Sequence, residues 1–369
     1  MLAHDTDSPK HRQVFAALRR QIQSGRLKPG DRLPSEADLV REFGASRITV
    51  GRAVRDLQTA GLVDRRAGSG TYVKAPHLAG SLSFGLLIPD LGETEIFEPI
   101  CQGMMASPLA RDHALVWGSA QGANGSREER AWNLCEQYID RRVSGVFFAA
   151  LELRPAAGDV NHRILDALDA AKIPVVLLDR PVVPYPRRTP HDLVGIDNRR
   201  AGFIVTEHLA HLRCKRIAFI ASPNAAATVD AREAGYREAL YAANLPVDRA
   251  LILRMDPENV DGVAALMKTG QPDGIVCAND RSAARLMQAL TALGFGIPRD
   301  VRIVGIDDVD YAALLPVRLT TLRQPTRQIG DAALSAMLER IERPDLPPRE
   351  ILLPCELIVR ASCGALRAR

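Results

Sequence analysis

The sequence predicts a small α+β head of three helices and a hairpin, followed by an α/β body of two doubly wound parallel-sheet lobes. Three observations carry that expectation. Residues 1–75 hold 14 Lys/Arg against 8 Asp/Glu, a balance of +6, whereas the remaining 294 carry −2. The segment Ala75–Ser81 contains a Pro and a Gly and no periodic apolar pattern, so it reads as a linker. Beyond it, short apolar runs alternate with helical patterns, which argues for parallel sheets covered by helices on both faces.

Composition narrows the function classes. The chain has 369 residues, of which 46% are hydrophobic, 25% charged and 5% aromatic, an ordinary globular balance for two or three domains. The longest apolar run, around Val143–Leu151, is half the ~18 residues a membrane span needs. The first residues, MLAHDTDSPKHRQ, are polar and include acids, so they read as neither a signal peptide nor an anchor. Six cysteines without a CxxC pair fit reduced thiols and a cytoplasmic location. A basic head on a near-neutral body fits a nucleic-acid-binding module or simply a solvated basic face.

The head can be read element by element. Phe15, Leu18 and Ile22 recur at helical spacing within residues 9–24, and Gly25 closes that helix. Ser35 is placed to cap a second helix that ends near Phe43-Gly44, with Asp38 at its positive end. Ser46 caps a third, whose Val50, Ala53, Val54 and Leu57 face inward and whose Arg47, Thr49, Gly51 and Arg52 face outward. Strands over 62–66 and 71–74, joined through Gly68-Ser69-Gly70, complete a winged helix-turn-helix.

The stretch LKPGDRLPSEADLVREFGASRITVGRAVRDLQTAGLVDRRAGSGTYV also resembles the GntR-family DNA-binding domain, over residues 10–73. That resemblance implies that the third helix enters the major groove and the wing reaches the minor groove of double-stranded operator DNA. It assigns contacts to Ser35, Glu36, Ser46, Arg47, Thr49, Arg52, Arg65, Arg66, Gly68 and Gly70. Arg47 has the forked donors that suit guanine, and Thr49 can bond a base or phosphate. Arg52, Arg65 and Arg66 are expected to neutralise phosphates, and Gly68 and Gly70 to let the wing backbone approach the sugar-phosphate wall. One departure stands out: Gly51 replaces the Arg or Lys usual in that family.

In the body, strands are expected at 83–88, 115–118, 143–149, 175–178, 193–196, 216–220, 274–277 and 302–305, with helices such as 199–212, 230–243 and 281–293 between them. Ligands in doubly wound sheets bind at the carboxyl ends of strands, so two facing lobes create one cleft. VGIDNRRAGFIVTEHLAHLRCKRIAFI, AREAGYREALYAANLPVD and PDGIVCANDRSAARLMQALTALGFGIPRDVRIVGIDD are similar to the LacI/GalR effector-binding domain, a periplasmic-binding-protein-like type I fold. The division is therefore 1–75 head, 76–82 linker and 83–369 effector and dimerisation domain, with lobe crossings expected near 194, 322 and 342. A GntR-type head on such a body is similar in arrangement to the arabinose repressors.

A sugar-like effector needs bidentate polar groups on both lobes and an apolar wall. The resemblance assigns these to Asp90, Phe97, Asp179, Arg180, Arg232, Asn279 and Asp307. Asp179-Arg180 reads equally well as a local salt bridge. Asp280 is expected to cap the helix at 281–293, and Asp308 to face the hinge. Ala226, in place of a basic residue found in purine-binding members, argues against a nucleobase. No aromatic stands near 255–260, so Phe97 or Trp117 would supply the ring platform. Met104-Met105 and Met287 read as core.

Other signals carry less. Glu207-His208, His211 and Cys214 do not share one helix face and are set aside as a metal site. No GxSxG, Walker or HExxH motif is present, and the body's lysines, Lys172, Lys215 and Lys268, lie outside any Schiff-base motif. The sequence therefore reads as a homodimeric, cytoplasmic, sugar-responsive repressor of palindromic operators, needing no cofactor, metal or membrane and performing no catalysis. A solute-binding protein serving a transporter is the alternative.

Overall fold

A computed structural model describes residues 10–23, 26–28, 30–59, 62–66, 69–73, 81–88, 95–118, 126–152, 155–223 and 225–365. The chain divides into two compact units, Met1–Gly80 and Ser81–Arg369. Lys74, expected to end the second wing strand, residues 76–80 of the expected linker, Gly68 and Asp90 lie outside the described residues.

The head has helices α1 (Lys10–Gln23), α2 (Glu36–Phe43) and α3 (Arg47–Thr59), then strands β1 (Val63–Arg66) and β2 (Gly70–Val73). Val14, Leu18, Leu39, Val50, Ala53, Val54, Leu57, Val63 and Val73 form its buried core. That core draws apolar residues from every element, which fixes α3 against α1 and α2 with its opposite face outward. Gly44 ends α2 in the left-handed region, at φ 56°. The antiparallel β1–β2 register pairs Val63 with Val73 and Arg66 with Gly70, and Arg32 bridges to Tyr72 on the outer edge.

The first lobe of the body contains β3 (Ser83–Leu87), α4 (Phe97–Ala106), β4 (Ala114–Trp117), α5 (Arg127–Asp140), β5 (Gly145–Phe148), α6 (Pro155–Ala170), β6 (Val175–Leu178) and β7 (Asp192–Ile196). The second contains α7 (Asn198–His211), β8 (Ile217–Ala221), α8 (Ala227–Ala242), β9 (Ile252–Arg254), α9 (Val260–Ala265), β10 (Gly274–Cys277), α10 (Asp280–Ala292), β11 (Arg302–Asp307) and β12 (Thr320–Arg323). Helix α11 (Thr326–Glu342) and β13 (Glu350–Leu353) return to the first lobe, and β14 (Glu356–Ile358) ends in the second. The sheet orders are β13-β7-β6-β5-β3-β4 and β14-β12-β11-β10-β8-β9. All pairings in both sheets are parallel except β12–β14.

The chain crosses between lobes at Asp197, at Gln324-Pro325 and at Pro354-Cys355. The third lies a dozen residues beyond the position expected near 342. After α11 the chain first adds β13 to the first sheet, where Ile351 pairs with Val194, before leaving that lobe. The edge strands β9, β13 and β14, and β12 beside β14, are not among the strands expected from sequence, because they are short runs broken by polar or exposed residues.

One helix pair in each lobe packs backbone against backbone. A methyl group on Gly202 of α7 would overlap the Arg232 carbonyl of α8, and one on Gly235 of α8 the Arg199 carbonyl. In the first lobe, Gly103 of α4 and Gly330 of α11 meet the Arg327 and Ile100 carbonyls in the same way. Met104 is fully buried in that contact, but Met105, expected in the core, is 69% exposed. Only one of two consecutive helical positions can face the sheet.

Asp192, wholly buried, ties the first lobe to its returning segment. It accepts from the Arg349 backbone N–H at 2.8 Å and from Arg340 Nη2 at 3.0 Å, so α11, β7 and the approach to β13 share one carboxylate. Burial alone would push its pKa up, but the Arg349 side-chain and backbone hydrogen bonds and then Arg340 hold it below the ordinary carboxylate value. Asp192→Ala should destabilise the body by about 3 kcal/mol, measured by urea unfolding, because two arginines lose their common partner. The stabilisation from this carboxylate is present above its unfolded pKa near ~4 and is lost as pH falls through the lowered folded value.

Candidate functional site

Two surfaces gather the residues singled out in the sequence. On the head, Ser46 starts α3: its Oγ accepts from the Thr49 backbone N–H at 3.2 Å and lies 2.8 Å from Thr49 Oγ1. The Thr49 hydroxyl is thus engaged locally, and Thr49 is half-buried rather than outward. Its place on the outer face is taken by Ile48, 82% exposed, which the sequence reading omitted. Arg47 and Arg52 are exposed as expected.

Glu36 links α3 to the wing. Its carboxylate is 3.9 Å from Arg47 Nε on α3 and 3.4 Å from Arg65 Nη2 on the wing. These exposed pairs contribute little stability, but they hold both cations on one side of the head. Ser35 forms a reciprocal cap with Asp38, whose carboxyl is held low by hydrogen bonds from Ser35 and Arg41. In the wing, Gly70 has φ 123°, a conformation that L side chains rarely adopt, and it lies against the Arg32 guanidinium. The Arg66 side chain lies outside the described residues.

The second surface is the cleft between the lobes. On the second-lobe wall, Arg232 is 4% exposed. Its Nε donates to Asn198 Oδ1 at 2.8 Å, its Nη1 to the Ala278 carbonyl at 2.6 Å, and its Nη2 reaches Asp307 Oδ1 at 3.5 Å. Gln324 Nε2 donates to the same Asp307 oxygen at 2.7 Å. Asp307 and Asp308 sit at φ 128° and 56°; both lie in the left-handed half of backbone space that non-glycine residues seldom occupy. Asp308 turns toward the crossings, where Arg323 Nε and Arg360 Nη1 pair with it at 2.7 and 2.6 Å.

The cap of α10 falls one residue earlier than expected. Asn279, expected on the effector, caps α10 by accepting from the Ser282 N–H at 2.8 Å. Asp280, expected as the cap, is instead buried beneath Asp307 and accepts from Thr321 Oγ1 at 2.6 Å and the Val309 N–H at 3.1 Å. The cap position falls one residue earlier because Asn279 keeps extended backbone, at ψ 172°, while Asp280 is already helical.

On the first-lobe wall, Asp179 ends β6 at φ 63° and Arg180 follows it. The Arg180 guanidinium lies 3.6 Å from Asp179 Oδ2 and 3.9 Å from Glu152 Oε1, and sits over the Phe97 ring at 5.4 Å. The local salt bridge considered in the sequence is therefore present. Phe97 is 1% exposed, so it braces Arg180 instead of offering an open platform, and Trp117 is 59% exposed at the end of edge strand β4. Asp179 Oδ1, Arg180 Nε and Gln324 Oε1 are buried without a hydrogen-bond partner among the described residues. Such atoms are costly unless something else completes them.

Charges from both walls converge. Burial pushes the Asp307 carboxyl up; Arg232 and Gln324 oppose this, while Asp179 and Glu95 of the first lobe reinforce it. Tyr311 donates to Glu95 Oε1 at 3.3 Å, a direct bond between lobes. At the third crossing, burial pushes the Cys355 thiol up to about 12, and Arg232, Asp307 and Asp179 all act on it. Asn198, Gln324 and Cys355 were missed by sequence reasoning. Each adjoins a crossing, and locating the crossings was the available signal.

Residues 206–363 match the periplasmic binding protein-like domain family, and residues 10–73 the gntR family of bacterial regulatory proteins. The arabinose metabolism transcriptional repressor of Geobacillus stearothermophilus is 26% identical over 366 residues, spanning 96% of this chain and 97% of that protein. Among solved structures, the transcriptional regulator LacI from Bacillus cereus subsp. cytotoxis NVH 391-98 aligns with a TM-score of 0.66 at 25% identity, covering 77% of this chain and 99% of that one. A LacI family transcriptional regulator from Enterococcus faecalis V583 with bound ribose aligns with a TM-score of 0.62 at 27% identity, covering 76% and 98% respectively.

The buried acids set a pH response. Burial, then Asp307, raises the Asp280 pKa, and Asp307 is raised by burial as well. A carboxyl raised on folding favours the folded state at low pH and loses that contribution as pH rises through its folded pKa. The melting temperature of the body should therefore rise as pH falls from 8 to 5, and Asp280→Asn should flatten that rise in a thermal scan.

Proposed function

From a chain that joins a gntR-family helix-turn-helix domain to a periplasmic-binding-protein-like domain, we propose a ligand-responsive transcriptional regulator. It is a cytoplasmic repressor of carbohydrate-related genes that binds a palindromic operator as a homodimer and takes a sugar-like effector between its lobes. The single observation that carries this reading is the set of buried polar atoms without a hydrogen bond on Asp179, Arg180 and Gln324, in the same cleft as Arg232 and Asp307. Hydroxyl groups both donate and accept, so a polyol can complete all three where an apolar ligand cannot. The relative from Geobacillus stearothermophilus, matched along nearly its whole length, is an arabinose repressor, which supports a sugar.

The charges on the walls favour an uncharged sugar. Arg232 already faces Asp307, and Arg180 already faces Asp179 and Glu152, while Glu95 adds a further carboxylate. A phosphate or carboxylate on the effector would meet these acids without a spare cation to neutralise it among the described wall residues. Bound between the walls, the effector favours the closed cleft by its differential affinity for the two forms. Closure turns one lobe on the other about the three crossings, and the dimer converts that turn into a changed spacing of heads. Two heads are required because a single winged helix reads only a few base pairs.

On the head, Arg47 reads guanine and Arg52 and Arg65 neutralise phosphate. Arg47→Ala should cost about 1–3 kcal/mol on the selected operator and relax its specificity. Arg65→Ala should weaken all duplexes evenly and lower the salt slope by about one. Equal losses for Arg47→Ala on operator and random duplex, measured by fluorescence anisotropy, would remove its base-reading role.

A thermal-shift panel of matched pairs, each a monosaccharide with its phosphate, tests the effector. The neutral member should stabilise the protein, by about 2.7 kcal/mol at a hundred times Kd, and lower operator affinity. Arg232→Ala should abolish the shift and leave operator binding intact. A chain that binds sugar but no duplex would instead be a solute-binding protein.

A further inference from the structure

Two features of α3 have no role inside the folded head. Ile48 is the one large hydrophobic residue exposed among the described residues of that unit, at 82%. Gly51, one turn later, adopts ordinary helical backbone, and a side chain there would meet nothing within 4 Å. The other glycines compared above, Gly103, Gly202, Gly235 and Gly330, each lie against a neighbouring helix backbone. A glycine inside a helix lowers its stability relative to alanine. With neither backbone conformation nor packing requiring it, the reason for Gly51 lies outside the head.

Both residues occupy the same stripe. Ile48, Gly51, Arg52 and Arg55 follow the i, i+3, i+4, i+7 spacing of one helix face, opposite the buried Val50, Ala53, Val54 and Leu57. Arg52 and Arg55 are exposed on that stripe, and Arg47 stands beside Ile48 with its side chain 84% exposed. An apolar side chain framed by cations suits a surface that is polyanionic at its edges and locally apolar at its centre. The major groove has that character where a thymine presents its 5-methyl group between phosphate walls.

We propose that Ile48 and Gly51 together read thymine: the glycine lets the first turns of α3 settle close to the groove floor, and the isoleucine covers the 5-methyl group of one thymine in each half-site. This rests on the DNA-binding reading above. Arg47 supplies the hydrogen-bonding part of the recognition and Ile48 the apolar part. A long side chain at position 51 would project into open space on that face and hold the helix further out.

The test uses the full-length protein and an operator selected by it from random duplexes. Each thymine of the half-site is replaced singly by deoxyuridine, which removes only the methyl group. For the wild type, one replacement per half-site should weaken binding about fourfold, the equivalent of ~0.8 kcal/mol for one buried methyl-sized group. Ile48→Ala should bind the thymine and deoxyuridine operators equally, and Ile48→Val should retain the preference. Gly51→Ala should raise the melting temperature of the head yet weaken the selected operator. A wild type indifferent to every replacement, or an Ile48→Ala variant with the same preference as wild type, overturns the proposal while leaving DNA binding intact. Gly51→Ala with unchanged operator affinity overturns the part assigned to the glycine. Failure to select any duplex overturns both this proposal and the DNA-binding reading.

Discussion

The close approach of α7 and α8 is the constraint on which the cleft depends. Gly202 and Gly235 let the two backbones touch at the Arg232 and Arg199 carbonyls. That contact sets where α8 runs, and so where the Arg232 guanidinium emerges toward Asn198, Ala278 and Asp307. Even one added methyl group would force the helices apart, because packed interiors absorb extra volume only by shifting backbone. The first lobe repeats the device with Gly103 and Gly330, which seat α11 directly after the second crossing. In both lobes, then, a helix that begins at a crossing is locked to its neighbour by glycine, and the crossings start from fixed positions.

Much of this architecture is legible in the residues themselves. The parallel strands at 175–178 and 274–277 are continuous apolar runs buried on both faces, a pattern with few alternatives. The head is legible for a different reason, since its caps and turns use residues with narrow conformational roles, such as Ser35, Gly44 and Gly70. What escaped reading was short or non-local. Strand β13 is four residues with alternating exposure, and only its pairing with β7 makes it a strand and moves the third crossing. The exchange between Asn279 and Asp280 turned on a single residue's backbone conformation, which composition does not encode.

The cleft was legible in part. Arg232, Asp307, Asp179 and Arg180 stand on the two walls, but Phe97 is sealed beneath Arg180 and the Asn279 Oδ1 caps its own helix. Glu95, Tyr311 and Cys355 come from segments far apart in sequence, brought together only by folding. Charge could not be apportioned from sequence either. Whether two arginines attract an anion depends on whether carboxylates already hold them, and here they do.

The three crossings give the body an unusual economy. Asn198, Gln324 and Cys355 each adjoin a point where the chain passes from lobe to lobe, and each also belongs to the polar network of the cleft. The crossings and the candidate binding surface therefore share residues. A substitution that retunes recognition at these positions also changes the stiffness and resting angle of the joint. A change that spares the joint has to fall on cleft residues away from the crossings, such as Arg180 and Glu152, so the walls can vary while the joint stays as it is.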